Sequence, residues 1–202
     1  MNTVIYDQWR QNYQTASLSD HSTFYDACFQ KDPSHASWAG RGIRVFLNQT
    51  GGNPVVAEMG GRNGSLAKIA LESTPTIKRW INYEISPAAL TSNVVNDERY
   101  EAKLMTSFRW WLNEAIEGNV IIASHFIEHL SDEDFKSFVG AIPRSIKGIH
   151  VQSPIPMKGP MSWNHFNGGH ILSLGWVDVN EEFVKNGFRS IVAYDGATWI
   201  RP

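Results

Sequence analysis

Two short stretches of this 202-residue chain concentrate the side chains that could do chemistry. In Ser124-His125-Phe126-Ile127-Glu128-His129-Leu130 a carboxylate stands within four residues of two histidines. Histidine is the side chain whose ordinary pKa lets it take up and release a proton near neutral pH. The other stretch is Glu58-Met59-Gly60-Gly61-Arg62-Asn63-Gly64. Glycines let backbone N–H groups approach a ligand closely, and a following helix adds its positive end. A second acid, Glu84, ends the next apolar run, and two further histidines, His165 and His170, lie in a polar stretch, WNHFNGGH, rich in glycine. Which ligand such a turn takes depends on where its glycines and acids fall.

The elements that would position these residues alternate between strand and helix. Pro54-Val55-Val56-Ala57-Glu58 reads as a strand, the glycines as a turn, and residues 65–72 as a helix. Residues 78–85 read as a second strand that ends at Glu84, with a short helix after Pro87. Residues 100–105 are expected as a strand and the aromatic stretch 107–117 as a helix. Val120-Ile121-Ile122-Ala123 is a continuous apolar run, the pattern of a parallel strand buried on both faces. Ser131 followed by Asp132, Glu133 and Asp134 is a capping box that starts a helix carrying Phe135, Phe138, Val139 and Ile142. A strand over 147–153 follows, then a loop marked by Pro154, Pro156 and Pro160. Asp178 and Glu181 cap a helix that stops at Asn186-Gly187, and Asp195-Gly196 between two β-prone runs predicts a terminal hairpin. Upstream, Ile5, Trp9 and Tyr13 recur four apart, as do Tyr25 and Phe29, until Gly51-Gly52-Asn53-Pro54 ends the helical pattern. Residues 1–52 are thus an N-terminal helical segment of the same domain, and residues 53–202 an α/β core.

Composition narrows the function. Hydrophobic residues at 42% and charged residues at 19% belong to a globular chain with a proper core. A net charge of -2 gives no basic footprint for nucleic-acid phosphates, so no nucleic-acid partner is expected. The single cysteine, Cys28, cannot form an internal disulfide, and the first residues lack the basic and apolar regions of a signal peptide. A cytoplasmic setting is the expectation. The apolar run near residues 120–127 is interrupted by Ser124 and His125 and falls short of a membrane span. Eight tryptophans either fill the core or line a pocket.

The glycine turn admits three readings. A phosphate-binding P-loop needs a lysine and a hydroxyl after the glycines, and neither follows Gly60. The dinucleotide pattern G-x-G-x-x-G meets Arg62 and Ser65 where it wants glycine. In the pattern E-x-G-x-G-x-G, Glu58, Gly60 and Gly64 match and Arg62 stands at the middle glycine. Here the chain resembles class I S-adenosylmethionine-dependent methyltransferases over residues 55–202. The resemblance implies a Rossmann-like, seven-stranded, mostly parallel sheet with a C-terminal antiparallel hairpin. It implies S-adenosylmethionine as cofactor, bound by Glu58, Gly60, Gly61, Asn63 and Gly64 of the turn, by Glu84 and Ile85, by Thr106 and Ser107, and by Ser124 and His125. Glu84 matches the acid that accepts from the ribose hydroxyls. Around Thr106 and Ser107 the family's acid near the adenine is missing.

Methyl transfer from a sulfonium is an in-line displacement, and a hydroxyl acceptor must also lose a proton. His125 is the first candidate base and His165 the second. His125 to His129 also spells H-x-x-E-H, a zinc-peptidase pattern that requires one helix to carry both histidines. Certain O-methyltransferases hold a divalent metal through similar residues, which makes His125, Glu128, His129 and His170 candidate ligands, although a metal is not favoured. The rings of Tyr6, Trp9, Tyr13, Tyr25 and Trp38, with residues 163–170, suit a small hydroxylated acceptor such as a sugar or secondary metabolite. The rival reading is a non-catalytic module that keeps the fold as a cofactor sensor or assembly subunit. Oligomeric state is open at this level.

Overall fold

The computed structural model describes residues 12–31, 40–157, 171–191 and 197–202. Its framework is one seven-stranded sheet. β1 (Val55–Met59) pairs in parallel with β2 (Arg79–Glu84) on one side and β4 (Val120–Ser124) on the other. β3 (Tyr100–Leu104) adds outside β2, and β5 (Gly148–Gln152) outside β4, all parallel. β7 (Ala197–Ile200) runs antiparallel to β5 and to β6 (Arg189–Ile191), which closes the order β3-β2-β1-β4-β5-β7-β6. The terminal hairpin expected from Asp195-Gly196 therefore has both its strands; the turn itself lies outside the described residues.

Alternation along the strands feeds two cores. Ala57, Ile81, Ile121, Ile149 and Trp199 point to one face, where α5 (Asp132–Ala141) brings Phe135, Phe138 and Val139 and α6 (Trp176–Lys185) brings Val179 and Phe183. Val56, Trp80, Val120 and Ile122 point to the other. They meet α2 (Gly40–Thr50) through Ile43, Phe46 and Leu47, and α3 (Ser65–Ser73) through Leu66, Ala70 and Leu71. A period of two on strands covered on both faces explains why each strand reads as an almost unbroken apolar run. α2 belongs to the residues read as an N-terminal segment, yet its apolar stripe is packed into this second core.

α1 (Leu18–Lys31) sits over the carboxyl end of the sheet. The Asp26 carboxylate accepts hydrogen bonds from Ser86 Oγ and from the Ala88 N–H at the start of α4 (Pro87–Thr91). Tyr13, just before α1, is buried edge-on against Phe108.

Two expectations are corrected. Residues 107–117 form only a single 3-10 turn (Trp110–Leu112) instead of a helix. Trp110 and Trp111, adjacent in sequence, are both buried but toward different partners: Trp110 stacks on Tyr83 at 4.5 Å, and Trp111 meets Phe138 edge-on. Each ring anchors the backbone separately, which overrides helical spacing. α6 begins at Trp176, before the expected cap, and Asp178 is its third residue, whose carboxylate accepts from the Gly175 N–H. The Ser131 cap is as expected, with its hydroxyl accepting from the Asp134 N–H.

Candidate functional site

Sheet order reverses between β1 and β4, and in open α/β sheets ligands bind outside the carboxyl ends of strands at such a point. The glycine turn leaves β1 there. Its backbone is held by side chains of β2: Gly61 N–H donates to Asn82 Oδ1 (2.9 Å), Asn82 Nδ2 donates to the Arg62 carbonyl (3.0 Å), and Arg62 N–H donates to Glu84 Oε2 (2.8 Å). Gly60 and Gly64 have positive φ, and so does Arg62, at 53°. The middle position of the motif therefore keeps a left-handed backbone while carrying an arginine. A Cβ at Gly61 would lie 2.4 Å from the Glu58 carboxyl carbon and 2.6 Å from Asn82 Oδ1, so only glycine lets the turn lie this low.

Glu58 lies beneath the turn, buried, with Trp80 Nε1 donating to its Oε2 at 2.7 Å. Burial pushes its pKa up to about 7, opposed by the tryptophan hydrogen bond. Glu84 is buried at the end of β2 and accepts from three backbone N–H groups: Ile85 and Ser86 on Oε1, Arg62 on Oε2. Burial raises its pKa above the ordinary value, and the backbone donors pull it back.

A cleft of about 690 Å³, including its open mouth, lies above these groups. Gly60, Arg62, Glu84 and Ile85 form one wall; His125, Phe126, His129 and Leu130 form another. Met105, Phe108 and Trp110 line it beyond β3, and Tyr25 reaches in from α1.

His125 follows β4 with φ 52°, its N–H donating to the Gln152 carbonyl at 2.7 Å. Its Nδ1 is 3.0 Å from Glu128 Oε1, and Ser153 Oγ donates to Glu128 Oε2 at 2.6 Å. Glu128 is fully buried, and its own carbonyl accepts from the Ile171 and Leu172 N–H groups. A carboxylate at Nδ1 keeps the proton there and leaves the Nε2 lone pair as the basic site, a tautomer assigned from the contact. His129 sits edge-on to Tyr25 at 5.6 Å.

Of the residues singled out by sequence, Gly60, Glu84, Ile85, His125 and His129 line the cleft. Glu58 and Gly61 lie in or under the turn. Asn63 caps the Ser65 N–H and hydroxyl, and Gly64 packs against Val95 and Tyr100. Ser124 hydrogen-bonds Gln152 behind the wall. Thr106 and Ser107 line a neighbouring hollow with Tyr13, His21 and Arg109 instead of the cleft. His165 and His170 lie outside the described residues, as do Tyr6, Trp9 and Trp38. The H-x-x-E-H spacing does not sit on one helix, because His125 is left-handed and only a 3-10 turn (Ile127–His129) follows. Among the described residues no three His, Cys, Asp or Glu side chains converge as metal ligands would. Sequence reasoning did not assign Ser86, Met105, Phe108, Trp110, Phe126 and Leu130 to the site. The Ser-Pro helix start at Ser86 and the strand end before Met105 were usable signals, whereas the aromatic positions had none.

No protein-family model and no curated protein matches the chain. Solved structures do. The fold is similar to human N-acetylserotonin methyltransferase in complex with S-adenosylmethionine, with TM-score 0.60 and 15% identity over 94% of this chain and 57% of that one. An S-adenosylmethionine-dependent methyltransferase from Mesorhizobium loti matches with TM-score 0.62 and 10% identity over 82% of this chain and 100% of that one. Magnesium protoporphyrin IX methyltransferase from Synechocystis, with bound S-adenosylhomocysteine, matches with TM-score 0.57 and 11% identity over 97% and 94%. The chain spans little more than half the length of the human enzyme and of several others it matches. The chain thus has the Rossmann-like fold of class I S-adenosylmethionine-dependent methyltransferases, mostly parallel with antiparallel C-terminal strands.

Proposed function

We propose that the chain is a cytoplasmic S-adenosylmethionine-dependent O-methyltransferase that acts on a small hydroxylated molecule with His125 as general base. The observation that carries the reading is the His125–Glu128 pair, on the same cleft as the glycine turn and Glu84. The residues present suit the cofactor. The turn brings Gly60 to the wall, and Glu84, with three backbone donors on about four lone-pair sites, retains capacity for a ribose hydroxyl. When bound, the cofactor supplies a methyl group on a positively charged sulfur.

The chain's own work is alignment and proton removal. His125 Nε2, buried in this structure, takes the proton of the acceptor hydroxyl once the ring has turned it toward the cleft, while Glu128 stabilises the positive ring that results. Ser153 keeps the second carboxylate oxygen in place. Tyr25, Phe108 and Phe126 supply apolar faces that exclude water and stack on the acceptor.

Calorimetric titration with S-adenosylhomocysteine tests the cofactor half. Micromolar binding is expected, weakened in Glu84→Ala and insensitive to chelator. Wild-type protein that does not bind would overturn the reading in favour of a non-catalytic module. An acceptor screen on wild type and His125→Ala tests the other half, and undiminished turnover in the variant would remove His125 as base.

A further inference from the structure

We infer that Arg62 is a cofactor-recognition residue whose guanidinium pairs with the α-carboxylate of S-adenosylmethionine, an inference that rests on the methyltransferase reading above. Three observations converge on it. First, Arg62 holds φ 53°, a conformation a few per cent of non-glycine residues adopt and one that persists where its surroundings impose it, typically at functional sites. The turn is clamped from both sides of this residue, by Glu84 on its N–H and by Asn82 on its carbonyl. Glycine would fit that backbone at no steric cost, so the arginine is kept for its side chain. Second, Arg62 lines the cleft, and its cation is near enough to the Glu84 carboxyl to help hold that group's pKa down.

Third, the charges match. Among the described residues of the wall, Arg62 is the one permanent cation and Glu84 the one carboxylate. The ligand offers adenine, ribose hydroxyls, a sulfur, an ammonium and a single carboxylate. Glu84 suits hydroxyls, and the carboxylate is the group that a planar guanidinium grips with two parallel hydrogen bonds. The position that looks like a defect in the motif thus supplies a contact that a glycine there could not.

The test uses two ligands and two variants. S-Adenosylhomocysteine carries the carboxylate; 5′-methylthioadenosine keeps the adenine, ribose and sulfur and lacks the amino acid. Arg62→Gly retains the fold, checked by thermal melting, because glycine adopts a positive φ freely. It is expected to weaken S-adenosylhomocysteine by about tenfold to a hundredfold and to leave 5′-methylthioadenosine within about twofold, the size of one lost charge-assisted hydrogen bond pair. Arg62→Lys, which keeps the charge and loses the fork, falls between. Unchanged or tighter S-adenosylhomocysteine binding by Arg62→Gly would overturn the inference, as would an equal loss for both ligands, which would mark a disturbed turn. Wild-type protein that binds neither ligand would remove the methyltransferase reading, a different failure from an arginine variant that binds normally.

Discussion

Two walls of the cleft each carry a non-glycine residue with a left-handed backbone, Arg62 at φ 53° and His125 at φ 52°, and they are held there differently. A left-handed residue costs roughly 1–2 kcal/mol, which its neighbours must offset. At Arg62 the neighbours are side chains: Asn82 and Glu84 of β2 grip the turn, over a floor made by the Glu58 carboxyl. At His125 the backbone continues the sheet, donating to the Gln152 carbonyl of β5, and only the ring depends on a side chain, Glu128. The binding wall is therefore shaped by groups that substitution can remove. The His125 wall keeps its backbone hydrogen bond to β5 with any side chain at position 125, but the buried Glu128 carboxylate depends on the ring.

The sharpest way to break this contrast is His125→Ala. Turnover is expected to fall by about 10²–10⁴-fold while S-adenosylhomocysteine affinity stays close to wild type, and stability falls by about 1–3 kcal/mol because the buried Glu128 carboxylate loses its ring partner. Steady-state kinetics beside calorimetry would expose any structural role. On the opposite wall Gly61→Ala drives a methyl group into Glu58 and Asn82. A loss of about 1–3 kcal/mol in stability is expected, read by urea unfolding, together with weaker S-adenosylhomocysteine binding.

Acidity gives a third handle on the binding wall. Burial raises the Glu58 pKa from the ordinary 4.5 to about 7, so the folded protein keeps this carboxyl protonated below about pH 7. Its contribution to stability is present below about 4.5 and fades as pH rises through about 7. Glu58→Gln cannot lose that proton, so its stability relative to wild type should climb across the same window, and urea melts at both ends measure it. A gap that stays constant with pH would show that Glu58 is ionised throughout. The smallest effect is expected from Asp26→Ala, which frees Ser86 and Ala88 from α1. About 0.5–1.5 kcal/mol in unfolding and little change in ligand affinity would mark this contact as a seam outside both walls.

Legibility in the sequence followed the range of the forces involved. β1 and β4 were readable because Val55-Val56-Ala57 and Val120-Ile121-Ile122-Ala123 are apolar on both faces, a local signature of central parallel strands. Gly60 and Glu84 were readable because each follows or ends such a run. The stretch around Trp110 and Trp111 was misread, since each ring answers to a partner far away, Tyr83 or Phe138. Thr106 and Ser107 were aligned with the cleft, but the structure puts Met105 and Phe108 on its wall and Thr106 and Ser107 in the neighbouring hollow. Tyr25 was expected on the acceptor side from its place in a ring-rich N-terminal stretch, and it does reach the cleft, through the docking of α1. The conformation of Arg62 was also hidden, being imposed by Asn82 and Glu84 from the neighbouring strand.

The position of β1 has a consequence for how the molecule assembles. It is the first strand in the chain and stands inside the sheet, next to β4, a partner that follows an entire strand–helix–strand excursion; Asn119 Oδ1 accepts from the Val55 N–H across 64 positions. Contacts closed over such spans form late, because the loop entropy must be lost before they contribute. The turn on β1 is gripped by β2, its near neighbour in sequence, whereas the wall that carries His125 arrives only with β4. The cleft has both its walls only when β4 is in place, so a nascent chain that has not yet reached β4 has no finished site in which to hold a ligand.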